Sequence, residues 1–438
     1  MTEDLKKRAA EGLQMALAAG ADDAVAHVGD SRETEFTYRD GKLEEVQQST
    51  SSGLSLQLYV DGRYSTHGTT DLRPEQVRRF VEEAVALTRH LEPDPHRVIP
   101  DPALYTGRPD ADLDQVDPSV DEVQRDTCLD WLKAMDEITH GDDRVISATS
   151  SVSLNSHASA RVSSNSFEGT NQNTYIGYGS QVAMDEGDGR RPEAYRGVGA
   201  RYLADLLPTE EVAREALERG LQRLGSGKAP SARTAMVVDP EAGGNLLGRL
   251  GSALSAGAIQ QNRSFLADKK DQQITSELLT IIDEPLLPRG LGSRRFDGEG
   301  ISAKRMPICE KGVLRTYYVD TYYGRKLGWE PTTGGPSNII VELGDKGLDE
   351  LIADAGDGFY VDGWLGGNAD PTTGDFSFGI RGHRIENGAK GAPITEMNIT
   401  GNYLELLQNL VAVGNDPNPW SSFRTPTLVF ENVEFSGQ

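Results

Sequence analysis

The chain has 438 residues, enough for two or three domains with cores of their own, and its 68 acidic against 44 basic residues leave a formal charge of -24. That charge argues against nucleic-acid binding, which needs a basic surface to displace phosphate counterions; it favours solubility or a basic partner. No run of about 18 apolar residues could span a bilayer, and the N-terminal MTEDLKKRAAEGLQMALAAGADD reads as an amphipathic helix, not a secretory signal, so a cytoplasmic protein is expected.

In chain order, Leu5, Ala9, Leu13, Ala16 and Leu17 recur at helical spacing, and Gly20 follows as a stop. Residues 24–69 change to short alternating runs with Asp40-Gly41 and Asp61-Gly62, the signals of an antiparallel meander. A second helix follows Pro74, and residues 92–118, rich in proline and aspartate, read as a linker or extended surface segment. A third helix is expected over Val120 to Thr139. Four small-residue strands follow between Val145 and Tyr202, suited to a broad sheet with a hydrated face, and then a helix from Pro208 to Leu224.

The remaining residues are glycine-dense and strand-rich. Hairpins are expected about Lys311-Gly312 and Asn387-Gly388, a short helix over Thr321 to Leu327, a last helix over Asn402 to Val413 and a final strand in TPTLVFENVEF. The reading is an α+β fold in two parts. Residues 1–228 form a helix and antiparallel-sheet domain containing both sets of strands, and residues 229–438 a glycine-rich, strand-dominated domain.

The chemistry is sought in VVDPEAGGNLLGRLGSAL, Val237 to Leu254. A strand runs through Asp239, a good N-cap, into Pro240, which suits a first helical position because its missing N–H needs no partner there. Were positions 240 and 245 both histidine, this helix would offer two imidazoles to zinc and Glu241 to a bound water. They are proline, with no ligand atom, and asparagine, a poor one; an ordinary capped helix is the plain reading. Its glycines suggest close helix packing more than phosphate binding.

None of the seven histidines stands four residues from another. Cys128 and Cys309 have no metal-ligand spacing and read as buried, reduced thiols. Asp297 and Glu299 in FDGEGISAKR could bind a cation or shift each other's pKa, but such a cluster, like Asp370 to Asp375, reads first as a hydrogen-bonded turn.

The order SFLADKKDQQITSELLTIIDEP, FDGEGISAKR, CEKGVLRTYYVDTYYGRKLG, TGDFSFGIRGHRIENG, ITGNYLELLQNLVAVG and RTPTLVF resembles the TldD/PmbA family, once described as modulators of DNA gyrase. The likeness spans most of the chain and is clearest from Val237 onward. It implies two branches. TldD-type subunits carry H-E-x-x-x-H and a C-terminal cysteine as a zinc-peptidase site, while TldE-type (PmbA) subunits pair with them and lack it. With Pro240, Glu241 and Asn245 at the motif positions and no cysteine after Cys309, this chain resembles the TldE branch.

The resemblance implies a non-catalytic subunit of a zinc-dependent protease for unfolded or flexible peptides. Zinc is expected in the TldD-type partner, and no cofactor, nucleic acid or membrane is expected for this chain. An unfolded peptide could be gripped as a strand added to an exposed edge among the glycine-rich C-terminal strands. The rivals are a self-sufficient hydrolase using Glu241, Asp297 and Glu299, and a homodimeric peptide-binding scaffold.

Overall fold

A computed structural model describes residues 2–187 and 189–437. The first part runs α1 (Thr2–Ala18), β1 (Asp23–Arg39), β2 (Lys42–Val60), β3 (Arg63–Thr69), α2 (Pro74–Thr88), α3 (Pro118–Glu122), α4 (Arg125–Thr139), β4 (Val145–Ser163), β5 (Glu168–Met184), β6 (Glu193–Ala200) and α5 (Thr209–Gln222). Its strands form one antiparallel sheet in the order β3-β2-β1-β4-β5-β6, so strands on both sides of residues 92–118 share a sheet. Both DG pairs make the expected turns: Asp40, Gly41, Asp61 and Gly62 all have positive φ, as a two-residue hairpin of this hand requires.

Side chains alternate across a strand, and the helices use one face only. Ala24, Ala26, Leu56, Leu58 and Ala160 are buried there against α1 and α2. Further along the same face, Phe36, Val152, Tyr178 and Val198 are buried against α4 and α5. The opposite face carries His27, His157, Arg161, Tyr175 and Tyr195, the polar side expected from the sequence. Its glycines answer to close approach: a Cβ on Gly177 would lie 2.7 Å from the Tyr175 hydroxyl.

The second part runs β7 (Ala232–Val238), α6 (Pro240–Ala253), α7 (Ala256–Gln260), β8 (Ile281–Asp283), β9 (Met306–Glu310), β10 (Val313–Leu314), α8 (Thr321–Leu327), β11 (Ile339–Val341), α9 (Leu348–Ala355), β12 (Gly358–Ala369), β13 (Asp375–Glu386), β14 (Ala389–Asn402), α10 (Tyr403–Gln408), β15 (Leu410–Val413), β16 (Phe423–Arg424) and β17 (Leu428–Ser436). One sheet has the order β10-β9-β8-β11-β16. The other has the order β14-β13-β12-β7-β17-β15, and a further β14 to β17 pairing closes five of its strands into a ring. Phe378, Ile380, Met397, Phe430 and Phe435 are buried in the core it shares with α6 and α10.

Mixed helices and strands with mainly antiparallel sheets make this an α+β fold, as read. Four regions differ, the first being residues 24–69, whose short runs join into the long strands β1 and β2. The helix expected over Val120 to Thr139 is two, because Val123 and Gln124 are extended between α3 and α4. The first two of the four strands after Val145 are one, β4; Asn155 to His157 look like a break but pair in register with β1 and β5. The last helix stops at Gln408, and Leu410 to Val413 instead pair with β17, where a neighbouring strand outweighs the helical pattern.

The 92–118 segment is stitched in along its length. The carbonyls of Leu104 and Leu113 accept hydrogen bonds from the Ser302 and Arg289 amides, and that of Gln115 from the Thr174 amide. Tyr322 Oη donates to Asp94 at 2.9 Å.

Candidate functional site

Helix α6 forms as the sequence predicts. Asp239 Oδ1 accepts from the Glu241 amide at 2.8 Å, and Pro240 occupies the first turn. Ala242, Leu246, Leu247, Leu250 and Ala253 bury one face. The other face, with Gly244, Asn245, Gly248, Arg249 and Ser252, looks across a cavity of about 490 Å³ to Asn418, Ser421 and Phe423. The glycines serve two ends. Gly257 packs on Tyr323, its would-be Cβ 2.8 Å from the ring, the close packing expected of it, whereas a Cβ on Gly251 would meet nothing within 4 Å.

The three motif positions meet at the cavity wall but do not act as a set. Pro240 contributes no donor atom. Asn245 is exposed, its amide 3.4 Å from the Glu241 carbonyl one turn back. Glu241 points toward the first part of the chain, into a pair of arginines. Arg219 of α5 holds both carboxylate oxygens, at 2.8 and 3.0 Å, and Arg196 of β6 donates at 2.5 Å. Burial pushes the Glu241 carboxyl up, but the Arg219 hydrogen bonds and the charges of Arg219, Arg196 and Arg223 outweigh it and hold the pKa below the ordinary value. The carboxylate is therefore ionised, and its lone pairs are engaged.

The network extends on both sides. Arg196 also meets Glu215 at 2.6 Å and lies over the Trp420 ring. Asp239 accepts from Tyr360 Oη at 2.5 Å, and the Lys390 ammonium sits 3.7 Å from the centre of that ring. Asp362 takes Arg381 at 3.3 Å and Arg223 at 3.6 Å, with His383 Nδ1 4.0 Å away. Burial lowers the pKa values of Arg223, to about 10, and of His383. The sequence reading missed these residues. The 4-residue spacing of Glu215 and Arg219 on α5 and of Arg223 at its C-cap was the available signal, since it puts all three on one side of the helix.

This donor set does not fit zinc. The motif positions supply no imidazole, Glu241 is bound to two guanidinium groups, and no His, Cys or Asp lines the cavity. Among the described residues, no group of three or more His, Cys, Asp or Glu side chains is placed to hold a metal ion.

Asp297 and Glu299 lie elsewhere. Asp297 is buried and accepts from the Glu299, Ile301 and Gly334 amides and the Thr333 hydroxyl, at 2.9 to 3.1 Å, the hydrogen-bonded turn expected of it. Glu299 accepts from the Thr321 amide and hydroxyl at the start of α8, and burial raises its pKa. Neither lines the α6 cavity, so the three carboxylates of the hydrolase reading are not brought together. Asp370 caps its own turn through the Thr372 amide. Cys128 and Cys309 are free and buried, and burial raises their thiols to about 11 and about 12, which makes both unreactive.

Family models match along the chain in three pieces: a PmbA/TldA metallopeptidase domain 1 over residues 27–88, the central domain over 118–224 and the C-terminal domain over 231–437. Metalloprotease PmbA of Escherichia coli O157:H7 is 30% identical over 96% of this chain and 94% of its own. The chain belongs to the PmbA/TldD metallopeptidase family. A PmbA homologue of Haemophilus influenzae is 26% identical over 99% of this chain and 96% of that one. A crystal structure from Bacteroides thetaiotaomicron, described as a modulator of DNA gyrase, superposes with a TM-score of 0.97 at 40% identity over the whole of both chains. TldE from Thermococcus kodakarensis shares the fold, with a TM-score of 0.87 at 20% identity over 98% of this chain and all of that one. Within this family the arginine-held Glu241 stands where the resemblance puts the carboxylate of the zinc motif.

Proposed function

We propose that this chain is a TldE-type subunit of a TldD/TldE zinc-dependent protease, non-catalytic by itself, and that its catalytic partner carries the zinc. One observation carries the reading: in a metallopeptidase-family chain the motif carboxylate, Glu241, is neutralised by Arg196 and Arg219 and flanked by Pro240 and Asn245. Without two or three ligands a zinc ion is not retained and no bound water is acidified. The arginine pair instead ties α6 to α5 and β6 at the wall of the cavity.

The substrate class is unfolded or flexible peptide. The ring of strands leaves little free edge, which narrows the expectation of exposed glycine-rich edges to one flank. Strand β12 pairs with β7 only from Gly358 to Val361, and beyond that point its flank from Asp362 to Ala369 has no paired strand among the described residues. This flank lies beside α6, where Trp364 Nε1 donates to the Ala242 carbonyl at 3.0 Å. An extended peptide gripped there through its backbone would need no particular sequence.

The test is to mix this chain with a TldD-type subunit and follow cleavage of an unfolded peptide together with co-elution. The reading expects a stoichiometric complex whose activity exceeds that of either component. A TldD-type subunit that neither binds this chain nor responds to it contradicts the reading.

A further inference from the structure

Four arginines of the network beside α6 are matched to carboxylates. Arg196 meets Glu215 and Glu241, Arg219 meets Glu241, and Arg223 and Arg381 share Asp362. Arg249 is not. It lines the α6 cavity one turn beyond Asn245, is exposed, and has neither an ion pair nor a hydrogen bond among the described residues. In a chain with 68 acidic and 44 basic residues a partner carboxylate is easily supplied, so this cation stands out as locally uncompensated.

The guanidinium lies over the Phe378 ring, 4.4 Å from its centre. Such a contact uses the face of the group and leaves its in-plane N–H donors for an acceptor, and their planar fork matches a carboxylate. Phe378 on β13 pairs with Gly367, in the part of β12 whose other flank has no strand. Arg249 therefore reaches from the cavity to the β12–β13 ladder beside that flank.

The lining around it is neutral, with Asn245, Ser252, Asn418 and Ser421. Ser421 Oγ accepts from the Phe423 amide at 3.0 Å, which leaves its own O–H to donate. Glu241, the one carboxylate in the cavity wall among the described residues, is neutralised by Arg196 and Arg219. A carboxylate arriving at Arg249 thus meets donors and no free negative charge.

We infer that Arg249 determines specificity: its guanidinium takes a carboxylate of the bound peptide, either an acidic side chain or the free C-terminus, through paired N–H···O bonds. The inference rests on the reading of this chain as the non-catalytic subunit of a peptidase, and it makes that subunit a selector among peptides. The backbone grip along β12 needs no particular sequence; Arg249 adds a preference for negative charge at one position.

The test uses the complex with a TldD-type subunit and unfolded peptides of one length: neutral with an amidated C-terminus, the same with one glutamate moved along the sequence, and neutral with a free C-terminus. At the matching position glutamate is expected to raise kcat/KM roughly tenfold over glutamine, mainly through KM, a gain between that of an exposed ion pair and that of an enclosed charge-assisted hydrogen bond. Where the C-terminus is the source, the free acid shows this gain over the amide. Arg249→Gln is expected to abolish the ratio, Arg249→Lys to keep part of it, and Arg249→Glu to transfer it to a lysine at the same position. Co-elution and melting temperature of each variant monitor assembly and folding.

A complex that cleaves all these peptides alike, or whose acid preference survives Arg249→Gln, overturns the inference and leaves the protease reading standing. A wild-type chain that forms no active complex overturns that reading itself, and this inference with it.

Discussion

Arg219 grips Glu241 with both terminal guanidinium nitrogens, 2.8 Å to one carboxylate oxygen and 3.0 Å to the other, across the junction of α5 and α6. Such a fork is stronger and more directional than a single contact. With Arg196 as a second cation, the carboxylate is a structural anion and not a free base. Glu241→Ala leaves Arg196, whose side chain is only 7% exposed, with Glu215 as its remaining carboxylate partner. A fully buried pair broken this way costs about 3–5 kcal/mol; with Arg219 and Glu241 each near one-third exposed, a loss of about 2 kcal/mol is expected. Urea unfolding measures it, and unchanged stability would argue that the carboxylate is idle.

Acid should weaken the fold before the ordinary carboxyl range is reached. Burial lowers the pKa values of His27, His67, His157 and His383 below the ordinary 6.5. As pH falls through about 6.5 the unfolded chain takes up protons that the folded chain refuses, so stability complete above that value declines below it. Glu241, held low, adds a second loss at more acid pH, which sets in as pH falls through the ordinary carboxyl value and is complete below its own lowered one. Melting temperature followed from pH 7.5 to 5 should fall, and less steeply in His383→Asn; a flat profile over that interval contradicts the assignment.

Two glycines of α6 should respond in opposite directions. Gly251 has nothing within 4 Å of a would-be Cβ, so Gly251→Ala gains about 0.5–1 kcal/mol from helix propensity. At Gly243 the same Cβ would come within 2.9 Å of the fully buried Thr425 methyl, and overpacking of about 1–3 kcal/mol outweighs that gain. Thermal melts of the two variants separate these effects.

The β12 flank offers a binding test. Leu365 is 46% exposed on it, so Leu365→Asp should weaken binding of an unfolded peptide to the assembled complex roughly tenfold, about the value of one lost apolar contact, with little change in melting. Unchanged peptide affinity would move the grip elsewhere.

Much of this was legible in the sequence, because local chemistry dictates it. The DG turns, the Asp239-Pro240 helix start and the Asn387-Gly388 hairpin each depend on residues that few other conformations suit. What escaped was set at long range. Leu410 to Val413 look helical until β17 is beside them, and β4 looks broken at Asn155 until β1 and β5 pair along it. The candidate site shows the same division. That Pro240 and Asn245 cannot ligate zinc follows from their side chains alone. That Glu241 meets Arg196 and Arg219, 45 and 22 residues away, could not be read from residue types, because β6 and α5 are brought to it only by the fold.

The central claim is that this chain supplies structure and not zinc chemistry to a peptidase. Zinc per chain, measured with peptide cleavage on the isolated protein and again on its complex with a TldD-type subunit, tests it most directly. The account predicts no stoichiometric zinc and no cleavage alone, then one zinc per heterodimer and cleavage that survives Glu241→Gln in this chain. Stoichiometric zinc and turnover in the isolated protein, abolished by Glu241→Gln, would contradict it.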